Sequence, residues 1–311
     1  MPYLVSVIFN ILTAGFPCAL LAMGIFLTYR LLDFADLTAE GSFLIGGALT
    51  IALIKVGVNP FLATLVALLG GAICGLITGF LHTKLKIPKL LSGIITMTMT
   101  ASIALLILGI TKKGSPFTNN VSLDYTNDTI YSLFYFNSGT YQPMIKALIM
   151  LLIVLIVWFT IYFFFGTQYG MAIRATGMNE KMAKSQGVNT ERSIIVGVII
   201  SNTLIALAGS LFCQEQRACD VKVGSGFLVV GLASILIGEA IFGKRNFKNW
   251  LISVCLGAIV YFIIVNSAIE LGFPTELKNL LYAVLITIAL CLPLIKQGFM
   301  KLGRKGEKKH A

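Results

Sequence analysis

The chain of 311 residues is 57% hydrophobic and 12% charged, whereas soluble domains carry about 25% charged residues. With a mean hydropathy of +0.89, this composition predicts an integral membrane protein and excludes a large soluble domain. The formal net charge of +11 would suit nucleic acid, but the positive charges lie in short loops between apolar spans, which argues against a nucleic-acid partner.

Apolar spans cover most of the chain and predict an all-α polytopic membrane protein with about nine transmembrane helices, between eight and ten. Most spans have the length that crosses about 30 Å of hydrocarbon, but the second and the seventh are short. The first span has no basic segment before it and is long enough to cross, so it does not read as a signal peptide. The predicted spans are 4–29, 41–57, 61–81, 90–110, 144–165, 193–213, 227–243, 249–267 and 279–295.

The distribution of Lys and Arg predicts the orientation, because cytoplasmic loops carry an excess of both residues. With the C-terminus inside, sixteen of the 24 basic residues fall in inner segments and seven in outer segments. We therefore expect a cytoplasmic C-terminus. Residues 1–297 are expected to form one transmembrane domain, and residues 298–311 a basic cytoplasmic tail that fixes the topology.

The two short spans begin with the same pattern, a polar or acidic lead followed by Gly-Ser, Phe-Leu, a β-branched residue and Gly. Glycine-broken spans at corresponding places of two halves are typical of a transporter's binding region, where irregular backbone lines protein or a water-filled cavity. Segments 33–47 and 220–231 are therefore predicted to line a translocation pathway. The candidate pathway residues are Asp33, Asp36, Glu40, Gly41, Ser42 and Phe43 in the first segment, and Gly224, Ser225 and Gly226 in the second.

The chemistry of these breaks suits a zwitterionic solute. Helix N-termini have free N–H groups that favour an anion such as a substrate carboxylate, and the three acids of the first segment would favour an ammonium group. Two alternatives stay open at this point. The acids could belong to an ordinary cytoplasmic turn, facing the cytoplasm and not the pathway, and the repeated Gly-Ser-Phe-Leu pattern could arise by chance.

The largest outer segment, 111–143, contains turn residues followed by aromatic residues. One interpretation is a helix lying at the membrane interface as part of an aromatic belt. The other is part of a platform for an external solute-binding protein, and both can hold. The aromatic residues are Tyr125, Tyr131, Phe134, Tyr135, Phe136 and Tyr141.

Two further features concern packing. The third span has glycines at positions 70, 71, 75 and 79, which predict close packing on a neighbouring span, with dimerisation as the alternative. Glu239 lies near the inner end of the seventh span and is expected to pair with Lys244 or Arg245.

The segment 166–193 is a polar island between two long apolar spans, on the predicted cytoplasmic side. Its centre predicts a short helix, with Asn179 as N-cap and Gly187 as the residue that ends it. Met178 and Met182 lie on one side with Ala183 beside them, so the helix would offer methionines and a small alanine to a partner. A socket for a soluble protein and an ordinary basic interhelical loop both fit this pattern.

At these residues the sequence resembles a known family. The run Arg174-Ala175-Thr176-Gly177-Met178-Asn179, then Ala183, then Gly187-Val188-Asn189, is similar to the cytoplasmic coupling loop of permeases from bacterial ABC importers. The branch is the one that includes branched-chain amino acid and ribose permeases. Within it, the chain looks most like permeases assigned to tryptophan and tyrosine systems or left uncharacterised.

The resemblance covers most of the chain and implies a type II ABC importer-like permease in a bacterial cell membrane. It implies three kinds of partner besides the lipid bilayer: an ABC ATPase subunit, an extracytoplasmic solute-binding protein, and a second permease chain that is either identical or a close paralogue. The implied solute is a small organic molecule, an amino acid and more narrowly an aromatic one. The residues implied to couple to the ATPase are Arg174, Gly177, Met178, Asn179, Met182, Ala183 and Gly187.

Missing motifs narrow the class further. The sequence has no Gly-x-x-x-x-Gly-Lys-Ser/Thr loop for phosphate, so ATP hydrolysis is expected in a separate subunit, and no cofactor is expected. The six cysteines form no CxxC pair and the two histidines lie far from any ligand cluster, so no metal site is expected. The alternative function is a stand-alone secondary transporter coupled to an ion gradient, with Asp33, Asp36 or Glu239 as its ion site.

Overall fold

The computed structural model describes residues 3–111, 117–134 and 142–270, with a few isolated residues beyond 270. Its helices are α1 (Tyr3–Phe26), α2 (Thr38–Lys55), α3 (Pro60–Thr83), α4 (Lys89–Gly109), α5 (Gln142–Gly166), α6 (Gln168–Met178), α7 (Glu180–Ser185), α8 (Thr190–Gln216), α9 (Phe227–Phe242) and α10 (Phe247–Glu270). Two short strands, β1 (Asn120–Ser122) and β2 (Ala218–Asp220), pair antiparallel.

The polytopic all-α class is confirmed. Seven helices in the described ranges are long and apolar enough to cross a membrane, and α9 is a shorter apolar helix of 16 residues. Each of the first eight predicted spans corresponds to one of these helices. The ninth span, 279–295, falls mostly outside the described residues.

The chain between α1 and α2 is interrupted where the sequence predicts it. The last turn of α1 widens into a π-helix at Leu27–Leu31, and residues 32–37 are irregular before α2 begins. The Phe34 N–H donates to the Thr28 carbonyl (2.9 Å), which folds this stretch back on the helix. Asp33 has φ +49°, a left-handed conformation that Asp tolerates better than most residues.

The second interruption precedes α9. Gly226 has φ +87° at the residue before the helix, a conformation that favours glycine. Gly243 ends the helix with φ +76°. The seventh span is therefore short because a glycine lies at each end of α9.

Helix α8 is the centre of the bundle and packs on α1, α2 and α3. Glycines allow the close crossings: Gly71, Gly75 and Gly79 of α3 face α8, and Gly209 of α8 lies against the carbonyl of Phe43 in α2. The predicted packing role of the α3 glycines is confirmed. The alternative, that these three glycines mediate dimerisation, is wrong, because α8 of the same chain already packs on them.

The small sheet joins the loop after α4 to the segment after α8, with Val121 opposite Cys219. The interfacial helix expected in 111–143 is wrong for residues 117–134, which form β1, a turn and one 3₁₀ turn at Ser132–Phe134. Tyr131 is buried, and its hydroxyl donates to the Leu211 carbonyl (3.0 Å). Tyr135, Phe136 and Tyr141 of the expected belt lie outside the described residues.

Helix α8 runs from α7 to β2, so these two elements lie at opposite ends of the bundle. We call them the α7 end and the sheet end. The irregular residues 32–37 begin towards the α7 end, since Leu31 and Leu32 lie against Gly177, two residues before the cap of α7. The segment 221–226 enters the bundle from the sheet end.

Replacing Gly209 with Ala is expected to destabilise the bundle by about 1–3 kcal/mol, because the added methyl group overlaps the Phe43 backbone in a crossing that cannot open without moving α2. Thermal unfolding of the purified protein in detergent measures the effect. Gly166→Ala is the matched control, since a Cβ at Gly166 meets nothing within 4 Å. Equal melting temperatures for the two variants would contradict the close crossing.

Candidate functional site

The two interrupted segments meet inside the bundle. The Gly226 N–H, at the start of α9, donates to Oε1 of Glu40 in the first turn of α2 (3.0 Å). Gly224 lies against the Glu40 carbonyl so closely that a Cβ there would overlap it. We call this contact of Glu40 with Gly224 and Gly226 the joint. The structure therefore brings together residues that the sequence analysis placed in two separate pathway segments.

Aromatic rings line the joint on its sheet-end side. Phe43 of α2 stacks on Phe227 of α9 with ring centroids 4.3 Å apart and an angle of 19°. Phe212 of α8 meets Phe227 edge-on at 5.2 Å. Offset stacked and edge-on rings are the favoured arrangements for aromatic pairs, so the three rings form a compact apolar cluster next to the Glu40 carboxylate.

The joint is open on one side of the single chain. Ser225 is exposed, and Glu40, Gly226, Phe227 and Leu228 are only partly buried. The Glu40 carboxylate can therefore be reached from that side. A polar group of this kind between apolar helices needs water or protein beside it.

A second polar cluster lies next to the joint and is sealed. Asp36 is 5% exposed; its Oδ1 accepts the Thr38 N–H (2.9 Å) and its Oδ2 accepts from Nδ2 of Asn202 in α8 (2.7 Å). Ser42 donates to Oδ1 of the same Asn202 (2.6 Å). Asn202 thus links the irregular segment to α2 and α8. The sequence analysis missed Asn202, because a lone amide in a long apolar span carries no charge to draw notice.

Buried hydroxyl and amide groups continue from this cluster towards the sheet end. Thr50 donates to the Ser210 hydroxyl (2.7 Å), and Gln214 donates to the Thr64 hydroxyl (3.0 Å). The Gln214 carbonyl oxygen also accepts the Ile130 N–H of the loop that contains β1 (3.0 Å). A line of polar groups therefore follows the interface of α2, α3 and α8 from Asp36 to the loop that contains β1.

Both helix N-termini at the breaks are already occupied, which differs from the expectation of free N–H groups. Asp36 accepts from the first residue of α2, and Glu40 accepts from the residue before α9. Carboxylates are favoured at these positions by the helix dipole. In this conformation, the chain's own acids thus take the places that a substrate carboxylate was expected to fill.

Three predicted pathway residues take no part in the contacts that form the joint. Asp33 is exposed at the α7 end, Gly41 faces Thr100 of α4, and Ser225 forms a turn in which its N–H donates to the Lys222 carbonyl (3.0 Å). The joint itself consists of Glu40, Gly224 and Gly226, and Phe43 lies beside it. Asp36 and Ser42 belong to the neighbouring Asn202 cluster.

The predicted short helix in 166–193 is present as α7. The Asn179 side chain caps it by accepting the Met182 N–H (3.0 Å), and Gly187 follows with φ +82°. Met178 and Met182 are 89% and 63% exposed. The expectation that Ala183 is offered to a partner is wrong: it is 4% exposed, and its carbonyl accepts the N–H groups of Gln186 and Val188 in the loop that leads to α8.

A backbone contact links the α7 region to the first interruption. Gly177, in the last turn of α6, lies directly against the Leu31 carbonyl and Leu32, so a Cβ there would overlap both. Asn179 follows two residues later and caps α7. The position of α7 is therefore tied to the break between α1 and α2 through Gly177.

Two charged residues at the α7 end have partners that the sequence did not reveal. Glu239 was expected to pair with Lys244 or Arg245, but it accepts from Arg30 (2.6 Å) and from the Trp250 indole N–H (2.8 Å). Arg174 lies over the Phe247 ring of α10, 4.7 Å from its centroid. Arg174 thus contacts the bundle and not the exposed face of α7.

Crossing helices, two interrupted segments that meet inside the bundle and a short exposed helix at one end together define a membrane permease. The chain belongs to the family described as the branched-chain amino acid transport system / permease component, whose model matches residues 7–290. This places it among the permease subunits of ABC importers, as the resemblance implied.

Named relatives agree with this assignment. The chain is 36% identical over 282 residues to the tyrosine transport system permease protein of Clostridioides difficile, covering 90% of both chains. It is 29% identical to the galactofuranose transporter permease protein of Escherichia coli, over 94% of this chain and 80% of that protein. A probable branched-chain amino acid transport permease of Methanocaldococcus jannaschii is 26% identical over 88% of this chain and 86% of its own. No solved structure matches.

Replacing Asp36 with Ala is expected to lower the free energy of unfolding by about 1–3 kcal/mol, since the Thr38 N–H and the Asn202 amide lose a buried acceptor. Denaturation of the purified protein, followed by tryptophan fluorescence, checks the loss. The control is Asp33→Asn, an exposed site where Asn keeps the left-handed backbone, with a change within about 0.5 kcal/mol. A stable Asp36→Ala variant would show that Asn202 finds other partners.

Proposed function

We propose that this chain is the transmembrane pathway subunit of an ABC importer for an amino acid, with an aromatic amino acid as the narrow substrate. The observation that carries the proposal is the contact chain from α7 through Gly177 to the break beside the joint. It provides an ATPase subunit with a docking surface on α7, and it connects that surface to the pathway through backbone contacts. The family and the relative named for tyrosine support the class of solute.

The proposed orientation puts the α7 end and the C-terminus in the cytoplasm of a bacterial cell. A separate ABC ATPase subunit then docks on α7, with the exposed Met178 and Met182 as its apolar anchors. The sheet end faces outward, where a solute-binding protein delivers the solute. Tyr125 in that loop is 94% exposed, with Arg217 over its ring at 5.4 Å, and offers an aromatic contact to this protein.

A second permease chain completes the pathway in this proposal. The joint is open on one side of the single chain, where Ser225 is exposed and Glu40 is partly buried. A carboxylate left in this position would face hydrocarbon, which is costly. A second copy of this chain, or a close paralogue, placed on that side would enclose a route with Glu40 on its wall.

The joint suits an aromatic amino acid through an exchange of partners. The substrate ammonium group pairs with the Glu40 carboxylate, and its carboxylate accepts the Gly226 N–H that Glu40 now holds. The substrate ring stacks with Phe43 and Phe227, which already stack on each other. Each polar contact broken in the joint is thus replaced by one to the solute.

Movement of α7 drives the exchange. When ATP hydrolysis in the partner shifts α7, Gly177 presses on Leu31 and Leu32, and the irregular residues 32–37 take up the displacement. These residues hold α2 through Asp36 and Thr38. A small shift of α2 then separates Glu40 from Gly226 and opens the route on one side of the membrane.

Glu40→Gln is expected to reduce uptake of the amino acid by about tenfold to a hundredfold, because a neutral amide forms a weaker bond with an ammonium group by about 1.5–3 kcal/mol. The amide oxygen still accepts the Gly226 N–H, so the fold is kept. Uptake is measured in proteoliposomes with the ATPase and the binding protein. Glu270→Gln, an exposed acid at the end of α10, serves as the control. Normal uptake by Glu40→Gln would remove Glu40 from the pathway.

Replacing residues 179–186 with a Gly/Ser linker is expected to abolish co-purification of the ATPase subunit with the tagged protein, since α7 is the docking element. Gly177→Val is expected to keep the ATPase bound but to stop uptake, because the larger side chain displaces Leu31. The measurements are a pull-down followed by an ATPase assay, and uptake in proteoliposomes. Gly166→Ala, where a Cβ meets no neighbour, is the control for Gly177→Val.

These two variants separate the possible outcomes. An ATPase that binds the linker variant as well as wild type would remove α7 from the interface. No ATPase with any variant, together with uptake by the purified chain alone, would favour the ion-coupled secondary transporter. Its ion site would then be Asp36, the buried carboxylate that Asn202 and Thr38 surround.

A further inference from the structure

A cleft at the α7 end of the bundle is separate from the joint and from the exposed face of α7. It has a volume of about 400 Å³ and lies between the end of α5, the start of α6 and the start of α10. Its lining residues are Tyr162, Phe163, Phe165, Gly166, Thr167, Arg174 and Phe247. This volume admits a small group or part of a chain, and not another protein.

The walls of the cleft are aromatic and reach the lipid-facing surface. Phe163 is 66% exposed, on the same face of α5 as the exposed Phe159 and Ile156. This face has the apolar side chains expected against hydrocarbon. The cleft therefore opens where the acyl chains of a bilayer end and its headgroups begin.

The floor of the cleft is positive. Arg174 lies over the Phe247 ring and has no carboxylate within ion-pair distance among the described residues. Thr167, the N-cap of α6, also lines the cleft, so the start of this helix borders it. A helix N-terminus and a guanidinium together favour an anion with several oxygens.

The surroundings of the cleft add charge of the same sign. The two segments that form it, 166–178 and 243–250, contain four basic residues and no acidic residue: Arg174, Lys244, Arg245 and Lys248. The nearest acid on α9, Glu239, is held by Arg30 and Trp250. Basic pockets between transmembrane helices at the membrane surface are typical binding sites for anionic lipid headgroups.

We infer that this cleft binds one anionic phospholipid, with its phosphate on Arg174 and the start of α6 and an acyl chain along Phe163. The apolar wall that leads into the bilayer selects a lipid over free phosphate. The site lies between α6, which carries Gly177, and α10, so a bound lipid would hold these two helices together through charge and packing. The inference does not depend on the solute or on the ATPase.

The test is native mass spectrometry of the full-length protein in mild detergent, offered equal amounts of phosphatidylglycerol and phosphatidylcholine with identical acyl chains. Wild type is expected to retain one phosphatidylglycerol with a preference of about fivefold or more, the gain that one basic residue gives near an anionic lipid. Arg174→Gln is expected to bring the two lipids to equal retention, and Arg174→Lys to keep most of the preference.

Two further variants guard against indirect effects. Lys184→Gln removes an exposed charge on α7 outside the cleft and is expected to retain the preference. Phe163→Ala removes an exposed apolar wall and is expected to lower retention of phosphatidylglycerol without unfolding the chain. An unchanged preference in Arg174→Gln, or loss of bound lipid to millimolar inorganic phosphate, would overturn the inference.

Discussion

The hydrogen bond between the Glu40 carboxylate and the Gly226 N–H joins the first turn of α2 to the start of α9 inside an apolar bundle. Without water, neither an isolated carboxylate nor the open start of a helix is stable at membrane depth. The carboxylate accepts the N–H group, so each interruption is stable because it lies against the other. The pairing fixes α2 against α9 together with the stacked rings of Phe43 and Phe227.

In hydrocarbon, this hydrogen bond is much more favourable than leaving both groups unpaired. It is weaker than an ion pair, so a charged group can compete for the carboxylate. Glu40 is partly buried, whereas Asp36 in the next cluster is enclosed by Asn202, Thr38 and Ser42. The two acids therefore have different physical roles although they stand four residues apart. Asp36 fixes the irregular segment to α8, and Glu40 is the acid that changes partners in the proposed exchange.

The sequence predicted the parts of this arrangement that depend on local chemistry. Both breaks could be predicted from the short spans and their glycines. The ends of α7 could be predicted from Asn179 and Gly187, because a helix cap and a left-handed glycine act on neighbouring residues. The partners of those breaks could not be predicted. Asn202 contacts Asp36 because of the way α8 is rotated about its axis in the folded bundle, which the sequence does not show. Arg30 and Glu239 are 209 positions apart in the chain. Ala183 was misplaced for the same reason, since its burial depends on the loop into α8.

A helix of six residues such as α7 is too short to be stable alone. On its α8 side, the Ala183 carbonyl accepts the Val188 N–H and the Thr190 hydroxyl donates to Glu180; on its α6 side, Gly177 lies against the Leu31 carbonyl. A contact between backbones cannot yield by changing a rotamer, so displacement at Gly177 becomes displacement at Leu31. The widened turn at Leu27–Leu31 lies next to this point, and π-helical turns within α-helices are frequent at functional sites. The widened turn therefore lies beside the place where Gly177 meets the first interruption, and the irregular residues beyond it lead to Asp36 and the joint.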